Sequence, residues 1–176
     1  MRGVTVAELR EAFLVRAEAE ALAAQLAAER IDASALEQLT AADARFAELS
    51  DELRGGVAPA RLRPLLAEWV AANDAFHDGV LTASGNTLLG DLARACRRVF
   101  LPQLLAHWSP RLAELLIENE TEHRIVRELL ELRSASGARA AMKHHVASSG
   151  ALMEHALFPT GSPEPADITP VEEVST

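Results

Sequence analysis

Four side chains able to ligate a divalent metal recur along this chain on segments that read as helices. They are Asn73 and His77 in NDAFH, His123 in TEHRIVRELLEL and His145 in ARAAMKHHV. Asn73 and His77 are four residues apart, so a helix presents both on one face, within reach of one ion. Imidazole suits zinc, copper, iron and nickel, and a bundle core is where facing helices build such sites. The ordinary alternatives are plain. A histidine on an apolar helix, as His77 is beside Phe76, is often a core residue with a hydrogen-bond partner. His123 lies in the acidic run ENETEHR, where a solvated side chain is the simpler reading. His144 and His145 are adjacent, point about 100° apart and cannot both face the core. Asp74 could replace Asn73 only by a similar rotation about the helix, so Asn73 is preferred.

The elements that must position these residues are helices throughout. Thr5 and Glu8 form a capping box and Val4 with Leu9 a hydrophobic staple. Helix one then runs from Val6 to Arg30, with Leu9, Phe13, Ala17, Leu22 and Leu26 expected on its inner face. Asp32 or Ser34 caps helix two, whose core face is Leu36, Leu39, Phe46, Leu49 and Leu53. The glycines of RGGVAPAR end that helix, and Pro59 starts helix three, which runs to about Thr82. SGN at 84–86 is a turn, with Asn86 capping helix four. Helix four extends to about His107, with Pro102 expected to kink or interrupt it. Ser109 and Pro110 start helix five, which runs to about Arg133 with Leu112, Leu115, Leu116, Ile125, Leu129 and Leu132 facing in. Helix six follows SASG and ends near His155. The expected fold is all-α, an antiparallel bundle of six or seven helices covering residues 1–158. Four of the eight prolines fall in 159–176, which has few large apolar residues and reads as a disordered tail.

Composition narrows the function. The net charge of −9 argues against direct DNA contact by these residues, because phosphate neutralisation needs clustered Lys and Arg. The single cysteine, Cys96, excludes a disulfide framework and points to a reducing, cytoplasmic setting. Cys96 itself reads as core packing, and the indoles of Trp69 and Trp108 need partners. His107 and His155 sit near helix ends, where a cation complements the dipole. Enzyme motifs are weak. A di-iron carboxylate site needs two Glu-x-x-His motifs, and only Glu120-x-x-His123 qualifies. His-Glu-x-x-His, Gly-x-Ser-x-Gly and phosphate-binding glycine loops do not occur.

The wording around the histidines resembles the FCD domain, the C-terminal effector-binding domain of FadR-like transcription regulators in the GntR family. ELREAFLVRAEAEALAAQLAAE resembles that family's first helix. NDAFHDGVLTASGNTLL and EHRIVRELLELRSASGARAAMKHHV resemble its two histidine-bearing segments. The likeness runs from about Val4 to about Val146. It implies a metal site of Asn73, His77, His123 and His145, with Asn73 standing where the family more often has Asp, and with His144 facing solvent. It implies that Arg16, in FLVRAEAE, grips a ligand carboxylate. The expected ion is zinc, with nickel, manganese or iron as alternatives. Three neutral histidines and a neutral Asn would leave the ion's two charges uncompensated and attract a small carboxylate metabolite. The resemblance further implies a homodimer, no catalysis, and regulation of DNA binding through a winged helix-turn-helix that these residues do not include. Trp69, Val99, Phe100, Leu101 and Leu104 supply apolar surface for such a dimer. The alternatives are a small helical metalloenzyme acting on an organic acid, or a metal-free interaction module.

Overall fold

The computed structural model of the chain describes the backbone of residues 3–106 and 110–158 and the side chains of residues 3–99 and 119–158. The described residues form six helices: α1 Val6–Arg30, α2 Ala33–Arg54, α3 Pro59–Ala83, α4 Thr87–Ala106, α5 Pro110–Glu131 and α6 Ala135–Leu157. Among the described residues there is no strand. α1 packs on α3, α4, α5 and α6, and α2 packs on α3 and α5, giving the expected all-α bundle. α4 continues through Pro102 as one helical element. The expected tail, the orientations of Phe100, Leu101 and Leu104, those of Leu112, Leu115 and Leu116, and the placements of His107, Trp108 and Ser109 lie outside the described residues.

Local chemistry explains the helix starts. The Thr5 hydroxyl accepts from the Glu8 amide at 3.2 Å, and the Glu8 carboxylate accepts from the Thr5 amide at 2.9 Å, completing the capping box. Asp32, not Ser34, caps α2 by accepting from the Ala35 amide at 2.8 Å. Gly85 takes φ +67° in the SGN turn, a conformation that costs glycine little. Asn86 Oδ1 then accepts from the Leu89 amide at 3.3 Å and caps α4.

α1 is the axial element. It packs most extensively on α6 and also meets α3, α4 and α5. Its buried positions are mostly alanines, including Ala17, Ala21, Ala24, Ala27 and Ala28. Small side chains let neighbours close in from several directions, whereas Leu22, expected inside, is exposed. Five residues after Ala17, Leu22 has rotated by about 140° and left the stripe, which passes through Glu20, Ala21 and Ala24 instead. α6 reaches α1 through Gly150, where an added Cβ would stand 2.7 Å from the Phe13 ring. That close approach brings His145, on α6, over the middle of α1.

α5 also departs from its expected face. Ile125 and Leu132 are exposed, and the buried positions among the described side chains of α5 are Asn119, His123, Val126 and Leu130, with Leu129 packed at the edge. Ile125 is one residue, about 100°, from Val126. The aliphatic stripe Ile125–Leu129–Leu132 therefore misplaces the seam, because two of the true seam positions are polar. Trp69 is likewise core rather than dimer surface. Its ring packs on Phe46 at 4.8 Å between centroids, and its N–H donates to Ser50 Oγ at 3.4 Å. Fully buried Phe46, Phe76, Leu65, Leu130 and Met142 anchor the bundle, each worth about 1.5–3 kcal/mol of burial.

Candidate metal centre

Three helices each deliver one histidine to the same buried point: His77 from α3, His123 from α5 and His145 from α6. All three residues are at most 1% exposed. One ligand atom from each lies within 4.8 Å of the other two. The Nε2 atoms of His77 and His145 are 3.2 Å apart, although 68 residues separate them in sequence. The His123 ring stands at 4.7 Å from that of His145 and 5.2 Å from that of His77, centroid to centroid. The acidic run around His123 does not leave it in solvent. Phe46 and Phe76 enclose its ring, and neither of its nitrogens has a hydrogen-bond partner among the described residues.

Two carboxylates stand behind the other two rings. Glu20, on α1 and wholly buried, meets His77 Nδ1 with Oε2 and accepts from Arg16 Nε at 2.6 Å with Oε1. Arg16 is also buried, and its Nη2 lies 3.3 Å from His77 Nε2. Glu122 Oε2 lies 2.8 Å from His145 Nδ1, and the Ser148 hydroxyl donates to Glu122 Oε1 at 3.0 Å. Burial acts to raise the Glu20 carboxyl, but Arg16 and His77 outweigh it and hold the group well below the usual carboxylate range. Burial pushes His77 down to about 4, against the pull of Glu20 and with the repulsion of Arg16. His123 is held well below its ordinary value, by burial first and then by its histidine neighbours and Arg16. Glu122 is lowered as well, its partial burial outweighed by the contacts with His145, Ser148 and His144.

A neutral His77 facing an ionised Glu20 carries its proton on Nδ1 and turns the Nε2 lone pair inward. His145 Nδ1 likewise faces Glu122, and its Nε2 faces that of His77. The two Nε2 atoms stand 3.2 Å apart, with the Arg16 guanidinium beside that of His77. For nitrogen–zinc bonds of about 2.0–2.1 Å, a tetrahedral edge is roughly 3.3 Å. The spacing, the lowered His77 and His123 and the unpartnered nitrogens of His123 all fit a divalent ion. The charge balance differs from the sequence-based expectation, since the centre is not neutral behind its ligands. Glu20 and Glu122 supply two negative charges.

Asn73 is half-buried on α3, one turn before His77. Asp74 is engaged elsewhere, accepting from Arg97 at 2.9 Å, and Asp78 pairs with Arg94 and Arg97. Glu120 pairs with Arg54 away from the histidines, so Glu120-x-x-His123 forms no carboxylate–histidine couple. His144 is exposed, His155 is exposed in the last turn of α6, and Cys96 packs in the interior, as expected. Sequence reasoning missed Glu20 and Glu122. Arg16 and Glu20 form an i,i+4 pair in an alanine-rich helix, which was the available signal. Glu122 merged into its acidic surroundings.

Fold and centre together define an all-α bundle with a metal-type donor cluster at its core. Residues 11–148 match the FCD domain, and the chain belongs to that family. FCD domains are the C-terminal, effector-binding domains of FadR-type GntR regulators, a class of transcription regulators that are generally not enzymes. No curated protein matches the chain. No helix among the described residues is long and apolar enough to cross a membrane.

Proposed function

We propose that this domain senses a small organic acid held beside a divalent metal ion. His77, His123 and His145 would bind the ion, with Asn73 as a fourth ligand and Arg16 reaching for the acid's carboxylate. Zinc fits the three imidazoles best, with nickel, manganese and iron as alternatives. The carrying observation is His123, a fully buried imidazole with both nitrogens lacking partners beside two other histidines. Such a group weakens a fold by about 1–3 kcal/mol if nothing binds it. A core made only for packing would place an apolar residue between Phe46 and Phe76. Arg16 is suited to the acid because a guanidinium offers a planar fork of donors to a carboxylate. Occupancy would then act on the dimer and, through it, on a winged helix-turn-helix.

Elemental analysis of untagged protein tests the metal directly. Close to one divalent ion per chain is expected, falling to none in the double variant His77→Ala, His123→Ala. Stoichiometric metal in that variant would overturn the assignment. A thermal-shift panel of di- and tricarboxylic acids on metal-loaded protein tests the effector class. Arg16→Ala should abolish any stabilisation without lowering the metal content.

A further inference from the structure

We infer that Glu20 is the positioning residue shared by the metal subsite and the acid subsite, with Glu122 in a parallel role behind His145. This rests on the metal-site reading above and adds what makes three histidines selective for a cation. Glu20 uses its two oxygens on two different tasks. Oε2 holds the Nδ1 proton of His77, so that Nε2 is the inward donor. Oε1 holds Arg16 Nε at 2.6 Å, which aims the far end of the guanidinium at the same place, 3.3 Å from His77 Nε2. One buried carboxylate thus sets both the tautomer of a metal ligand and the direction of the carboxylate-binding cation. Glu122 fixes His145 in the same way, at 2.8 Å from Nδ1. His123 has no such backing, and the two phenylalanine rings hold its plane.

The charges follow. A divalent ion and Arg16 bring three positive charges, and Glu20 and Glu122 bring two negative ones. One positive charge is left over, so the centre takes a single carboxylate at the ion, with any further carboxylate of the ligand lying outside it. Carboxylates behind metal-bound histidines raise ligand basicity, and their loss typically weakens metal affinity 10–100-fold.

The experiment has two arms. In chelator-treated wild-type protein, long-range ¹H–¹⁵N correlation of the imidazoles reads the tautomers without any variant. His77 and His145 protonated on Nδ1 is the expected result, and His77 protonated on Nε2 overturns the inference. In the second arm, zinc affinity is measured by competition with a chromophoric chelator for wild type, Glu20→Gln and Glu122→Gln. Gln keeps an oxygen for the Nδ1–H but removes the charge. Affinity falling 10–100-fold, with one site per chain retained, is expected for each variant. Unchanged affinity in Glu20→Gln would sink the role of Glu20 even where wild type binds zinc. Absence of zinc binding by wild type would instead sink the metal-site reading, while the tautomer arm still reports on Glu20. Should Glu20→Gln fail to fold, Glu122→Gln, at a half-buried position, and the wild-type tautomers still decide.

Discussion

His123 lies flat against Phe76, with ring centroids 4.1 Å apart and planes inclined by 17°. The stacked face is apolar, yet the group carries two polar atoms without partners among the described residues. His123 should therefore oppose stability when no metal is bound. In the presence of a chelator, His123→Leu is expected to raise unfolding free energy by about 1–3 kcal/mol, the cost of an unsatisfied buried polar group. With excess zinc the order should reverse, because only wild type gains binding energy. Urea denaturation under both conditions checks this. A variant less stable than wild type in chelator would show that the imidazole earns its place by packing alone.

Acid should destabilise the chelated protein earlier than it would a protein lacking buried histidines. Burial pushes His77 down to about 4, and His123 is lowered as well. In the unfolded chain both titrate near about 6.5. Between these values the unfolded chain binds more protons, so stability is full above pH ~6.5 and falls as pH drops toward 4. His77 alone contributes on the order of 3 kcal/mol across that window. Glu20, held below its ordinary range, adds loss in the same direction at still lower pH. Urea midpoints at pH 7, 6, 5 and 4.5 measure the effect. A flat profile down to pH 5 would contradict it.

Gly150 is a packing requirement. A methyl group there would stand 2.7–2.9 Å from three Phe13 atoms, which no real contact tolerates. Gly150→Ala should destabilise by about 1–3 kcal/mol through overpacking, despite alanine's better helix propensity. Because α6 carries His145, the same variant should weaken zinc binding. Thermal melts and zinc titration would detect both, and a stabilised variant would refute the close approach.

Of the apolar surface expected for a homodimer, Val99 is exposed, and Phe100, Leu101 and Leu104 lie outside the described side chains. Trp69 is interior, whereas Leu88, Leu92 and Val99 are exposed along α4. Four- and seven-residue steps place these on one face. We expect a dimer mass by light scattering at micromolar concentration, and a monomer for Leu88→Glu with Leu92→Glu. A monomeric wild type would end the dimer reading, and a dimeric double variant would move the interface elsewhere.

The helical architecture was legible in the sequence because its signals are local. Thr5 with Glu8, Asp32, Pro59, the SGN turn and the 3.6-residue spacing of Phe46, Leu49 and Leu53 act within a few residues. Two chemical choices were also open to local reading: the i,i+4 step of Asn73 and His77, and the geometric bar on His144 and His145 facing inward together. Which of those two faces in was carried by resemblance, and the bundle agrees. What the sequence could not decide was burial of polar groups, because burial depends on what another helix brings to the same spot. Arg16 and Glu20 look like a solvated pair on a helix surface. They are interior because α3, α4 and α6 all close on α1, whose alanines permit it. Glu122 and His123 share one acidic run, yet the 100° step between neighbours on α5 leaves the first half-buried and packs the second against Phe46 and Phe76. The histidines were visible in the chain; only tertiary packing could place a carboxylate behind two of them and none behind the third.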